Sequence, residues 1–99
     1  YRFYVERLFR YFERIGSTTF LTTETEQTPE KYSPTGVEEF LADGVIVFYN
    51  FRKENIRESA IEVLKMRGEK HKRKIVGMKI TDNGIKVYPD QDVFAAMEI

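Results

Sequence analysis

The sequence predicts an α/β domain, in which a helix and parallel core strands are followed by antiparallel strands. An amphipathic helical pattern over residues 2–15 leads directly into a β-branched run over residues 17–23, the order found in the second half of a βαβ unit. A continuous apolar run over residues 44–51 is typical of a strand buried on both faces. Beyond it, strand-like runs separated by tight turns predict an antiparallel meander.

The first element is predicted to be a helix that ends at Gly16. Its apolar residues recur at spacings of three and four, with Arg and Glu on the opposite face; they are Phe3, Val5, Leu8, Phe9, Phe12 and Ile15. Gly16 is a natural stop, because helices commonly end in a left-handed residue. The threonine-rich run over residues 17–23 then predicts a strand.

The middle of the chain is predicted to form a long loop, a short helical turn and a strand. Residues 24–36 contain two prolines and almost no apolar side chains, so they predict a loop long enough to suggest a function. Residues 37–42 provide one helical turn before the apolar strand at residues 44–51.

The last part of the chain is predicted to consist of antiparallel strands. Residues 56–67 favour a long strand over a helix, because their β-branched residues suit sheet positions. A strand at residues 74–80 and another at residues 85–89 flank the turn at residues 81–84, whose Asn-Gly pair is a strong hairpin signal. Residues 90–99 are compatible with a short helix.

The composition is that of one small domain or of a piece of a larger protein. The chain has 99 residues, of which 41% are apolar, and it contains no cysteine. The lack of cysteine is compatible with a reducing cytosol, so we predict a cytoplasmic location. No apolar stretch approaches the roughly 20 residues of a membrane helix, so no membrane partner is predicted. Because Tyr1 already lies in a helical pattern, we expect a fragment of a longer polypeptide.

Positive charge is concentrated in one part of a neutral chain. Residues 52–79 contain ten Lys and Arg against four Asp and Glu, whereas the whole chain has sixteen of each kind. The run LKMRGEKHKRK, residues 64–74, holds six of the basic residues and the single histidine. This segregation predicts an anionic partner on one face of the molecule.

The basic run has the composition of a phosphate site. Lys65 and Arg67 are two residues apart, so on a strand they point to the same face, and Gly68 and His71 follow them. Arginine offers a planar fork and lysine a point charge to a phosphate group. From periodicity alone, a solvated basic hairpin without a ligand is the commoner outcome. No Cys or second His accompanies His71, so no metal site is predicted.

A complete catalytic motif is missing from the sequence. There is no Gly-Lys dipeptide, so the phosphate-binding loop G-x-x-x-x-G-K-[ST] does not occur. Neither G-x-S-x-G nor H-E-x-x-H is present. A non-enzymatic alternative therefore stays open, in which the basic turn at residues 70–74 belongs to a regulatory module that binds nucleic acid or protein.

Three segments together resemble the C-terminal half of the KaiC-type ATPases of the RecA superfamily. They read GVEEFLADGVIVFYN, ESAIEVLKMRGEKH and ITDNGIKVYP, and the LKMRG-x-x-H element is the most specific part. The resemblance spans almost the whole chain and is closest to archaeal single-domain KaiC-like proteins. It implies that residues 1–99 form the C-terminal part of a RecA-like P-loop NTPase fold, with the Walker A and Walker B regions outside the chain.

The resemblance also implies an activity and an assembly. Members of this family are ATPases that form six-membered rings with ATP between neighbouring subunits, and Mg²⁺ would be held by parts of the protein outside this chain. Lys65 and Arg67 would contact the γ-phosphate of the neighbour's ATP, in the manner of an arginine finger.

Further nucleotide contacts follow from the same resemblance. Met66, Glu69 and His71 would line the nucleotide, with Glu69 standing where the family often has threonine or serine. Thr81 and Asp82 would lie close to the base and the sugar. The loop at residues 25–35 would face the central channel, where DNA or protein could bind.

Overall fold

The computed structural model describes residues 2–24, 33 and 36–90. They fall into two compact units, Tyr1–Asp43 and Gly44–Ile99. Apart from Ser33, the predicted loop at residues 25–35 lies outside the described residues, and so does the predicted helix beyond Asp90.

In its described residues, the first unit contains two helices, α1 (Arg2–Arg14) and α2 (Val37–Leu41). The predicted stop of α1 at Gly16 is confirmed, because Gly16 has a φ of 69°. Its N–H donates to the Glu13 carbonyl at 3.1 Å, and the Ser17 N–H donates to the Phe12 carbonyl at 3.2 Å. This pair of bonds is the Schellman motif, which satisfies carbonyls that the end of a helix leaves open. Neither helix of the described residues is long and apolar enough to cross a membrane.

The strand predicted over residues 17–23 is not found. These residues have no assigned strand and are exposed throughout. The Ser17 hydroxyl lies 2.7 Å from that of Thr19, a local contact instead of a ladder bond. A strand is stabilised by pairing and by cross-strand contacts, and no described segment pairs with this one. Parallel core strands are accordingly absent from the part of the chain that the structure describes.

The second unit is a four-stranded antiparallel sheet. Its strands are β1 (Gly44–Lys53), β2 (Ile56–Met66), β3 (Val76–Thr81) and β4 (Gly84–Tyr88). They lie in the order β1-β2-β3-β4, so each strand pairs with the next one along the chain. The predicted antiparallel meander is therefore confirmed, and the fold class is α/β with segregated helices and strands.

The strand β1 is buried on one face only, contrary to the prediction of two buried faces. Tyr49 and Phe51 are buried, whereas Phe48 is 59% exposed. Directly paired residues share a face, so the register with β2 and β3 assigns each residue of the sheet to one of two faces. On β3 the second face is buried too, at Val76 and Met78. We call one side the tyrosine face (Val47, Tyr49, Phe51, Ala60) and the other the isoleucine face (Ile46, Phe48, Ile61, Ile80, Ile85).

Aromatic packing anchors the tyrosine face. Phe51 is fully buried, and its ring stacks on that of Tyr49 with the centroids 5.0 Å apart. The Tyr49 hydroxyl donates a hydrogen bond of 2.6 Å to the Glu62 carboxylate on β2. A buried tyrosine whose hydroxyl has a partner avoids the cost of an unsatisfied polar group. This cluster therefore fixes β1 against β2.

Candidate functional site

The basic segment predicted from the sequence begins at the C-terminal end of β2. Lys65 and Met66 are the last residues of that strand and are partly buried, while Arg67 is exposed just beyond it. The Met66 side chain lies over Gly44, whose missing Cβ would come within 3.4 Å of the Met66 sulfur. A Cβ at position 44 would meet this sulfur at an ordinary contact distance, so the Met66 side chain packs over the start of β1.

A β-bulge sets the direction of Lys65. Val45 pairs with Lys65, but its neighbour Ile46 pairs with Val63, so Leu64 is the extra residue of β2. A bulge of one residue moves every later side chain to the opposite face of a strand. Lys65 therefore lies on the tyrosine face, together with Val45, instead of following Val63 onto the isoleucine face.

A tight turn presents Arg67. The Glu69 N–H donates to the Met66 carbonyl at 3.2 Å, and Gly68 has a φ of 79°. A positive φ at the third of four residues is the signature of a type II turn, in which Arg67 occupies the second position. The prediction that Lys65 and Arg67 point to the same face required the strand to continue through Arg67. Because β2 ends at Met66, the turn sets the position of Arg67 instead.

The replacement Gly68→Ala tests this turn. An alanine at a φ of 79° is expected to cost about 1–2 kcal/mol of stability, because Cβ crowds the backbone in the left-handed region. Gly77→Ala is the control, since nothing lies within 4 Å of an added Cβ at either position and the φ of Gly77 is not positive. Denaturant unfolding of both variants measures the difference, and equal stabilities would contradict the assigned turn.

The loop after the turn contains a buried histidine nitrogen and an anchored lysine. Nδ1 of His71 is buried and has no hydrogen-bond partner within the described residues. The Lys72 ammonium donates to the carbonyl of Pro89, the residue after β4, at 3.3 Å. This bond ties the loop back to the sheet. Any contact of Lys72 with nucleic acid would have to compete with it, and Arg73 is exposed beside it.

The predicted contacts Thr81 and Asp82 lie at the other end of the sheet. Ile61 pairs with Val76, and from there β2 runs to Lys65 while β3 runs the opposite way to Thr81. Lys65 and Thr81 therefore follow the short β2–β3 pairing at its two opposite ends. Contact of both residues with one nucleotide stays a prediction.

The hairpin at Thr81 is confirmed as a tight turn. Thr81 pairs with Gly84, and its hydroxyl donates to the Gly84 carbonyl at 2.9 Å. The same oxygen accepts from the Asn83 N–H at 3.2 Å. The Thr81 hydroxyl is thus occupied by the turn itself, while the Asp82 side chain is exposed.

The site offers positively charged side chains that could bind an anion. Among the described residues, no group of three or more His, Cys, Asp or Glu side chains is placed to hold a metal ion. Lys65, Arg67 and the open nitrogen of His71 suit an anionic group with several oxygens. Sequence reasoning missed the bulge at Leu64 and the bond from Lys72 to Pro89, because neither has a local signal.

Comparison with known proteins gives consistent matches. A family model described as "ATPase: KaiC" matches residues 1–92. The chain is 38% identical over 86 residues to the circadian clock oscillator protein KaiC of Synechococcus elongatus and 37% identical to that of Acaryochloris marina. Each match covers 84% of this chain and 16% of the relative, so the chain spans about a sixth of the length of these proteins.

A solved structure is also similar to the chain. The crystal structure of a KaiC-like protein from the hyperthermophilic archaeon Pyrococcus horikoshii OT3 matches with a TM-score of 0.74 at 39% sequence identity. The match covers 89% of this chain and 38% of that protein.

Proposed function

The chain belongs to the KaiC family of ATPases, and from this we propose that it supplies cationic residues in trans to ATP bound by a neighbouring subunit. The observation that carries the proposal is the cationic end of β2, where a bulge and a type II turn fix Lys65 and Arg67 in succession. A backbone fixed in this way does not have to be reordered when the side chains contact a ligand.

We propose that these residues stabilise the negative charge on the γ-phosphoryl group of ATP. During phosphoryl transfer, negative charge is spread over the equatorial oxygens of the γ-phosphoryl group. The guanidinium of Arg67 would donate two hydrogen bonds to those oxygens, and the Lys65 ammonium would add a point charge. The buried Nδ1 of His71 would gain the partner that it lacks among the described residues. Met66 would contact the nucleotide next to them.

The remaining predicted contacts fit less simply. The Glu69 carboxylate would oppose a phosphate, so only its backbone N–H, already bonded to Met66, is compatible with the site. Thr81 and Asp82 follow the β2–β3 pairing at the end opposite to Lys65. We propose that they contact the base and sugar of the same nucleotide, where the Asp82 carboxylate would accept bonds from ribose hydroxyls.

Action in trans implies a ring. Each subunit would offer Lys65 and Arg67 to the ATP of one neighbour and hold its own ATP with residues outside this chain, and a heterologous contact of this kind closes into a cycle. We propose a ring of six cytoplasmic subunits, in which residues 1–99 form the C-terminal part of a RecA-like ATPase domain. Mg²⁺ would neutralise phosphate charge and would be held by residues outside this chain.

A mixing experiment tests action in trans. One complete ATPase carries Arg67→Ala, and a second carries a disabled phosphate-binding loop. Each alone is expected to be inactive. When subunits are exchanged in a mixture, some interfaces join an intact loop to an intact Arg67, so ATP hydrolysis should return. A mixture that exchanges subunits yet stays inactive would contradict the proposal.

A further inference from the structure

We propose that the β1–β2 hairpin holds a second anion site, in which Arg52 and Arg57 clamp a phosphate group. The two arginines are directly paired across the strands, next to a two-residue turn formed by Glu54 and Asn55. Because Lys53 and Ile56 close this turn, Arg52 and Arg57 form the next pair, in which side chains approach each other most closely. Both guanidinium groups therefore start from the same face of the hairpin.

Neither arginine of this pair has an ion-pair partner in the described part of the chain. Both side chains are exposed, and neither forms an ion pair or a hydrogen bond with another described residue. Like charges directly opposite each other destabilise a sheet. The other like-charged pair, Lys79 with Lys86, is compensated, because each ammonium lies over the Tyr88 ring at 5.9 and 5.7 Å. Among the described residues, neither arginine of the pair has such a ring contact.

The surroundings of the arginine pair are polar and concave. Arg52, Glu54, Asn55 and Arg57 line a depression of about 240 Å³. The backbone of Glu54 has a φ of 54°, the positive value that a two-residue hairpin turn requires at its first position. Asn50 and Ser59 form the next pair on the same face and add an amide and a hydroxyl donor toward that side.

The chemistry selects a phosphate monoester. Two guanidinium forks together match the two charges of a phosphate group and offer it several hydrogen bonds. The Glu54 carboxylate offsets part of this charge, and no aromatic residue lines the depression to stack with a base. The site lies eight residues from Lys65 along β2, which is roughly 26 Å at 3.3 Å per residue, so it is separate from Lys65 and Arg67. It lies at the same end of the sheet as Thr81 but on the opposite face.

Calorimetric titration of the 99-residue chain with inorganic phosphate tests the site. Phosphate is expected to bind to the wild-type chain, and Arg52→Gln with Arg57→Gln should weaken binding about tenfold or more, because two charge-assisted contacts are lost. Lys79→Gln with Lys86→Gln removes the same charge from the other face and should leave affinity within about twofold if the forks decide binding. Circular dichroism verifies that each variant is folded.

Three further arms complete the experiment. Arg52→Lys with Arg57→Lys keeps the charge but removes the forks, so it should bind several-fold more weakly than wild type, and it carries the test if the glutamine variant fails to fold. A phosphoserine peptide and a nucleoside monophosphate, each titrated against the wild-type chain, distinguish a protein source from a nucleotide source of the phosphate by which binds more tightly. No phosphate binding, or equal losses in the arginine and lysine variants, would overturn the proposal.

Discussion

Replacing Arg67 with alanine in the complete ATPase should lower kcat by about 10³–10⁵, the range known for arginine fingers in GTPases. The physical reason is that a cation delivered to developing charge in a site that excludes water stabilises the transition state more than the ground state. ATP binding should change much less than turnover. Steady-state hydrolysis together with the binding of a fluorescent ATP analogue separates the two effects.

Two other variants make this test specific. Arg73→Ala removes the same charge from an exposed position in the same segment and should retain turnover within a few-fold. Arg67→Lys keeps the charge but loses the planar fork, so its rate should fall between those of wild type and alanine. Full activity of the Arg67→Ala protein would refute the assigned role. An equal loss of turnover in Arg73→Ala would mean that the rate depends on the net positive charge of the segment and not on Arg67 in particular.

Replacing Phe51 with alanine is expected to cost about 3–5 kcal/mol of folding free energy, the range for truncating a buried aromatic side chain to alanine. Phe51 is 0% exposed and stacks on Tyr49, whose hydroxyl is bonded to Glu62. The cavity would therefore loosen the contact between β1 and β2 that positions the end of β2. A loss of this size is a large part of the stability of a small domain.

The matched control lies three residues earlier on the same strand. Phe48 is on the isoleucine face and is 59% exposed, so Phe48→Ala removes the same atoms but leaves a much smaller cavity. We expect it to cost less than about 1.5 kcal/mol, since less apolar area returns to water. Urea unfolding monitored by circular dichroism compares the two variants, and similar midpoints would contradict the assignment of Phe51 to the core.

Local signals predicted the local parts of the fold. The 3.6-residue periodicity and Gly16 predicted α1 and its end, and Asn83-Gly84 predicted the hairpin between β3 and β4, because both features depend on residues close in sequence. The prediction of a strand over residues 17–23 was wrong. Composition indicates that a segment suits a sheet, but it does not indicate whether a partner strand lies beside it. The apolar run in β1 failed similarly, since Phe48 is exposed although its type is typical of a core.

Only part of the candidate site could likewise be predicted from the sequence. The sequence supplied Lys65, Arg67 and His71 as a group, and the structure places them on one end of β2 and the loop that follows. The direction of Lys65 could not be predicted, because the bulge exists only as a mismatch between two paired strands. The separation of Thr81 from Lys65 likewise depends on the register of β2 with β3, which no motif records.

The bulge at Leu64 limits how the length of β2 can change during evolution. Inserting one residue between Ala60 and Leu64 would turn Lys65 to the wrong side, whereas inserting two would restore its side and lengthen the strand by about 7 Å. In the proposed ring, the length of β2 would set how far Lys65 reaches toward the neighbour's nucleotide. Relatives are therefore expected to vary this segment in steps of two residues, or to gain and lose the extra residue as a unit.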